Sequence, residues 1–175
     1  LEPEYVAVSP DGETAWVTLQ EANSVAVVDI ATATVEAIVP LGVKRHQIEA
    51  NGFDASDRDD KARIRSWPVY GMYMPDSIVS YESDGVTYYV TANEGDDRGD
   101  ADEDARGDAV RLKDIADVIS FDRNGIEPTR RLAKRIDANL GKDEFLGRLT
   151  ISSIDGLDDE GRLDKIHAYG ARSFS

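Results

Sequence analysis

The stretch Tyr5-Val6-Ala7-Val8-Ser9-Pro10-Asp11-Gly12-Glu13-Thr14-Ala15-Trp16-Val17-Thr18-Leu19 decides the fold. Two short runs rich in valine, threonine and aromatic residues flank a turn. Branched and aromatic side chains suit the pleated, half-buried surface of a strand. Within Ser9-Pro10-Asp11-Gly12, proline holds φ where the second turn position needs it, and glycine accepts positive φ. The polar turn Gln20-Glu21-Ala22-Asn23 leads to a valine-rich run over 24–30. Thr32-Ala33-Thr34 then leads to 35–39, where apolar residues alternate with others. Four antiparallel strands in about 40 residues are the size of one β-propeller blade.

The same pattern returns further along the chain. Pro3-Glu4-Tyr5-Val6-Ala7 is echoed 72 positions later by Pro75-Asp76-Ser77-Ile78-Val79. Trp16-Val17-Thr18-Leu19-Gln20-Glu21 is echoed 73 positions later by Tyr89-Val90-Thr91-Ala92-Asn93-Glu94, and the turn Asp11-Gly12 by Asp84-Gly85. A weaker echo lies at 148–153 and 164–169. Self-similar all-β units of this length point to a propeller.

The predicted fold is therefore all-β: a partial β-propeller of four-stranded antiparallel blades, with short helices in a long insertion. Residues 1–175 read as a single domain. In it 1–43 is a complete blade and 44–74 an Asp-rich insertion. Residues 75–93 are the strands of a second blade, 94–147 an acidic loop followed by short helices, and 148–175 further blade strands. Ile115, Val118 and Ile119 have helical spacing, as do Leu132, Ile136 and Leu140 between Pro128 and Gly141. A closed propeller needs at least about four blades. The count predicts an internal piece of a longer propeller, with any secretion leader removed or lying outside it.

Thirty-five acidic against 20 basic residues give a net charge of −15. Such a chain is a poor nucleic-acid binder, because phosphate affinity comes from lysine and arginine. It is equally unsuited to anionic lipid, and no apolar run is long enough to insert in a membrane. Without cysteine, disulfides, thiolate zinc sites and thiol catalysis are excluded. Arginine outnumbers lysine 14 to 6. Scarce lysine and abundant carboxylate fit a halophilic surface, since concentrated salt screens their repulsion; a calcium-rich extracellular setting fits too. No serine sits in a nucleophile elbow, and there is no P-loop or Rossmann glycine pattern.

Five stretches resemble one known family. Val6-Ala7-Val8-Ser9-Pro10-Asp11-Gly12 with Ala15-Trp16-Val17-Thr18 resembles the YVTN-type propeller repeat of bacterial and archaeal surface proteins. The others are Asn51-Gly52-Phe53-Asp54-Ala55-Ser56-Asp57-Arg58-Asp59, Trp67-Pro68-Val69-Tyr70-Gly71-Met72-Tyr73, Val90-Thr91-Ala92-Asn93-Glu94-Gly95-Asp96 and Tyr169-Gly170-Ala171-Arg172-Ser173-Phe174-Ser175. Together they resemble the choice-of-anchor I family, similar to a mesenchyme-specific cell-surface glycoprotein, over nearly the whole chain. The resemblance implies a propeller of about seven or eight blades in a secreted, periplasmic or cell-surface protein. Members are sometimes labelled alkaline phosphatase.

Three loops carry candidate chemistry. Asn51, Asp54, Asp57, Asp59 and Asp60 offer oxygen ligands at short spacing, as a hard cation such as calcium requires; the alternative is a solvated acidic loop. Glu94 and Asp96, with Asp97, follow a strand and would lie at the mouth of a propeller; Glu94 also matches Glu21 and could be an ordinary turn residue. Asp54, Asp57, Glu94 and Asp96 could share one cation if both loops reach one face. Arg172, carried by a matching stretch, would pair with these carboxylates or bridge two blades. The loop 155–164 departs from a calcium-loop pattern at Leu157 and Glu160 and reads as a hairpin turn. His167, in an alternating strand, reads as a packing or surface residue; His46 opens the first insertion and could be a ligand, although a lone histidine is weak evidence. Trp16 and Trp67 read as inter-blade packing.

The leading expectation is a propeller module that binds a protein, glycan or small ligand, with calcium stabilising its long loops. The rival is a metal-dependent phosphoesterase in which clustered Asp and Glu hold calcium or another divalent metal that activates water. Exposed edge strands predict self-association.

Overall fold

The turn that decides the first sheet closes as its residues dictate. The Gly12 N–H donates to the Ser9 carbonyl at 2.9 Å, and Gly12 adopts a φ of +79°. The Ser9 hydroxyl donates to Asp11 Oδ1 at 2.5 Å, and the same carboxylate receives the Glu13 amide at 3.0 Å. The computed structural model describes residues 2–99, 107–115 and 127–175. Its strands in chain order are β1 (Pro3–Val8), β2 (Thr14–Leu19), β3 (Ser24–Asp29), β4 (Thr34–Pro40), β5 (Val43–Arg45), β6 (Val69–Met72), β7 (Pro75–Ser83), β8 (Val86–Asn93), β9 (Ala109–Arg111), β10 (Thr150–Ser152) and β11 (Ile166–Ala168). The chain is mostly β and divides into two compact units.

The first unit comprises Leu1–Val43, Met72–Asp96 and Gly170–Ser175. Its first sheet is the antiparallel meander β1-β2-β3-β4, the strands expected from the sequence. The echoed segments form a second antiparallel pair, β7 with β8. Asp84 and Gly85, both at positive φ (51° and 74°), make the two-residue link, since that turn matches the twist of the flanking strands. Residues 173–175 extend this pair on the β8 side: the Thr91 amide donates to the Ser175 carbonyl at 2.7 Å and the Ser175 amide to that of Thr91 at 3.1 Å. The repeat-equivalent aromatics Trp16 and Tyr89 stack with centroids 4.3 Å apart. Thr18 Oγ1 donates to the Asp76 carbonyl (2.8 Å) and Ser80 Oγ to that of Val8 (2.7 Å), fixing the two sheets together.

The second unit comprises Lys44–Gly71 and Asp97–Tyr169, so the two segments read as insertions supply most of it. Its five-stranded sheet has the order β5-β6-β11-β10-β9. β10 and β11, the weaker echo, pair antiparallel, but β11 lies parallel to β6, unlike any pair in the first sheet. The reason is packing: Ile151, Ile166 and Ala168 are buried among Val69, Leu112, Leu132, Leu146 and Leu163 in one apolar core. Trp67 belongs to this core, with its indole N–H on the Phe53 carbonyl at 2.9 Å, whereas Trp16 does pack between the repeated strands. The helical spacing of Leu132, Ile136 and Leu140 becomes α1 (Arg130–Arg135), capped by the Thr129 hydroxyl, and a wider turn over Ile136–Leu140. A 3-10 turn, Leu112–Asp114, leads into a helical residue at Ile115, while Val118 and Ile119 lie outside the described residues.

Candidate functional site

The Asp-rich loop of the second unit is folded onto itself. Asp54 Oδ2 accepts the Arg63 amide (3.1 Å), and Asp59 Oδ1 accepts the Lys61 amide (3.2 Å). Asp59 Oδ2 faces Arg63 Nε at 3.7 Å. Asp57 Oδ1 accepts from Arg148 Nε (3.0 Å) and lies 3.6 Å from Arg58. Desolvation raises the Asp57 carboxyl, but Arg148 and Arg58 outweigh it and hold it below its ordinary value. Asp60 sits at a φ of +52°, where the loop reverses. The main-chain carbonyl of Asn51 lies 2.6 Å from the ring Nδ1 of the buried His46, and its side-chain amide donates to the Arg45 carbonyl at 3.1 Å. The loop is thus ordered by its own amides and three arginines.

Glu94 and Asp96 belong to the first unit, in the exposed loop after β8. The Glu94 amide donates to the Met74 carbonyl (3.0 Å), and the Gln20 side chain to the Asp96 carbonyl (3.4 Å). Gly170, at a φ of +77°, passes so close that a Cβ there would stand 2.7 Å from the Glu94 carbonyl oxygen. Arg172, in the same unit, is exposed with a φ of +48°. Asp54, Asp57 and Asp59 therefore lie in one unit and Glu94, Asp96 and Arg172 in the other. Among the described residues, no three acidic or histidine side chains converge as a metal centre.

The loop 155–164 is the hairpin turn expected of it, with Leu157 bridged to Leu163. Asp158 accepts the amides of Arg162 (2.9 Å) and Glu160 (3.0 Å) and both Nε and Nη2 of the Arg162 guanidinium. The Arg162 amide leads in holding the Asp158 carboxyl below its ordinary value.

The most connected polar cluster is one that sequence reasoning missed. Arg98 makes a two-pronged contact with Asp108, Nε to Oδ1 at 2.9 Å and Nη2 to Oδ2 at 2.6 Å. Nη2 also reaches Ser152 Oγ (3.1 Å) and Asp155 Oδ2 (2.5 Å). Ser152 Oγ stands 2.5 Å from Asp108 Oδ2 and 2.9 Å from Asp155 Oδ2, and accepts the amides of Ile154 and Asp155. The guanidinium lies 5.5 Å from the centroid of Tyr169. Burial first, and the Asp108 carboxylate second, push the Tyr169 phenol far above its ordinary range. The Asp108 side chain is only 3% exposed, and the arginine fork meets its carboxylate. Ser152 has one proton for two carboxylates and no imidazole beside it to take that proton. His167, on the same sheet, stacks on Tyr70, and burial lowers its pKa. The cluster is a clasp between the 97–99 loop, β9 and β10.

The choice-of-anchor I domain family model matches residues 1–175, from the first residue to the last. The chain belongs to the choice-of-anchor I domain family. No curated protein and no solved structure matches the chain. Domains of this family are typical of surface or secreted proteins, which makes a surface-anchoring or binding role the coarse functional assignment. No helix of the described residues is long and apolar enough to cross a membrane. In this choice-of-anchor I domain, each of the motif stretches that pointed to the family has a local structural use. Asn51–Asp59 folds as the self-capped loop, Trp67–Met72 enters β6 and the core, and Ser173–Ser175 pairs with β8.

Proposed function

We propose that this choice-of-anchor I domain is part of a β-propeller binding module in a secreted or cell-surface protein. The observation that carries the reading is the repeated antiparallel unit: β1–β4, then β7, β8 and residues 173–175 in the same order, with Trp16 and Tyr89 stacked between them. Stacked sheets of this kind are how propeller blades pack, and closing the ring takes at least about four. Val35, Ile38 and Val39 leave apolar surface exposed along β4, as a strand that meets a further blade would. A propeller of this kind would take a protein, glycan or small ligand. Calcium would act on the loops of Asp54, Asp57 and Asp59 and of Glu94 and Asp96, as a stabiliser of their carboxylates and not as a catalyst.

A calcium titration followed by calorimetry and thermal unfolding tests this, run beside a p-nitrophenyl phosphate assay with calcium or zinc. The expected result is saturable calcium binding with a raised Tm and no turnover. Metal-dependent hydrolysis that disappears in both Asp54→Ala and Asp96→Ala would replace the binding module with a phosphoesterase.

A further inference from the structure

The second unit contains a cavity of about 280 Å³ whose chemistry is opposite to that of the chain. Its walls include Arg131, Arg135 and Lys165, against a single carboxylate, Asp164. The whole chain carries −15, so a concave site with three cations and one acid is a local reversal of charge. The cations arrive from two elements. Arg131 and Arg135 are one helical turn apart on α1, and so share a face. Lys165 directly precedes β11. Asp164 is already engaged: it accepts Arg131 Nη2 at 3.0 and 3.2 Å and the Thr129 hydroxyl at 3.2 Å. That contact fixes Arg131 and leaves the Arg135 guanidinium and Lys165 ammonium with no salt bridge among the described residues. Pro68, Tyr70 and Ile166 give the cavity an apolar floor, and the Tyr70 ring is held in place by stacking on His167 at 5.2 Å.

We infer that this cavity binds a small organic oxyanion of about the size of a sugar phosphate or a sugar acid. Arginine forks match phosphate and carboxylate oxygens in pairs, and lysine adds a point charge. An apolar floor with a few placed polar groups is the usual make-up of a small-molecule site. The surrounding negative field repels anions generally, so only a ligand that fits among the three cations gains from entering. The inference concerns the second unit alone and does not depend on the propeller reading.

The test is calorimetry and thermal unfolding with glucose 6-phosphate, glucuronate, inorganic phosphate and neutral glucose. Each is measured against sodium chloride of equal ionic strength, because any salt relieves repulsion in a chain of −15. Saturable binding of glucose 6-phosphate or glucuronate is expected, with glucose inert. Arg135→Gln and Lys165→Gln should each weaken it about tenfold or more, while Lys134→Gln, an exposed cation on the same helix outside the cavity, leaves it unchanged. Binding to glucuronate alone would narrow the ligand to carboxylates, and binding to both phosphates would narrow it to phosphates. A response no larger than that of matched chloride, or equal losses in all three variants, would overturn the inference. Melting of the unliganded variants separates a lost ligand from a lost fold.

Discussion

Asp108 shows what a single side chain does here. It is nearly fully buried, and its charge is met by Arg98 through two hydrogen bonds and by Ser152 through a third. Removing one partner of a buried ion pair costs more than the pair itself contributes, because the other charge stays buried. Arg98 keeps Asp155 as a second partner, which limits the loss. Asp108→Asn should therefore destabilise the domain by about 2–4 kcal/mol, read as a lower urea midpoint with an unchanged slope. Asp155→Asn, at a half-exposed position, should cost less; an equal cost would mean that burial of Asp108 is not what matters. This clasp was not legible in the sequence. Its members lie 10, 54 and 57 residues from Arg98, and Asp108 reads as one more acid in an acidic stretch. The carboxylates of Asp54, Asp57 and Asp59 were conspicuous for their spacing alone. The same residues serve a self-capped loop: Asp59 bonds the amide two residues on, Asp54 the amide of Arg63, and Asp57 the Arg148 side chain.

At the scale of elements, the first sheet was the easiest part to read. Its strands, the Ser9–Gly12 turn and the Asp84-Gly85 link depend on neighbours in sequence, and local patterns report local contacts. The five-stranded sheet depends on β6 meeting β11 in parallel, across nearly a hundred residues, and no local pattern announces that pairing. β10 and β11 were visible as strands, but their partners were not. Within the first unit, Asn23 ties several elements together. It adopts a φ of +48°. Its side chain donates to the Gly42 carbonyl at 2.7 Å and accepts the Met74 amide at 3.0 Å, while its own carbonyl takes the Leu41 amide at 3.0 Å. It thus joins the β2–β3 turn to the chain leaving β4 and to the chain entering β7. Asn23→Ala loses both side-chain bonds and strains the backbone, and a loss of about 2 kcal/mol is expected. Asn23→Gly keeps the positive φ and should recover part of it. Amide exchange should quicken at Met74 in both variants; exchange confined to residues 20–23 would show that the joint is only a local turn.

At the scale of the whole molecule, two opposing properties decide its association. The first sheet leaves two edge strands, β1 and β4, unpaired among the described residues. Both expose apolar side chains: Tyr5, Val6 and Val8 on one, Val35, Ile38 and Val39 on the other. Unpaired strand edges recruit strands from other copies. Against this stands the charge of −15, which makes two copies repel. The repulsion is screened over about 10 Å at 0.1 M salt and about 3 Å at 1 M, whereas the apolar gain is not screened at all. Association should therefore increase with salt. Light scattering coupled to size exclusion should find mostly monomer at low ionic strength and dimers or larger species at about 1 M sodium chloride. Ile38→Lys, on the fully exposed β4, should return the high-salt species to monomer by placing charge on the edge. A monomer at every salt concentration would mean that the edges are protected by means other than charge. Association that weakens with salt would place the contact on the acidic loops and not on the strands.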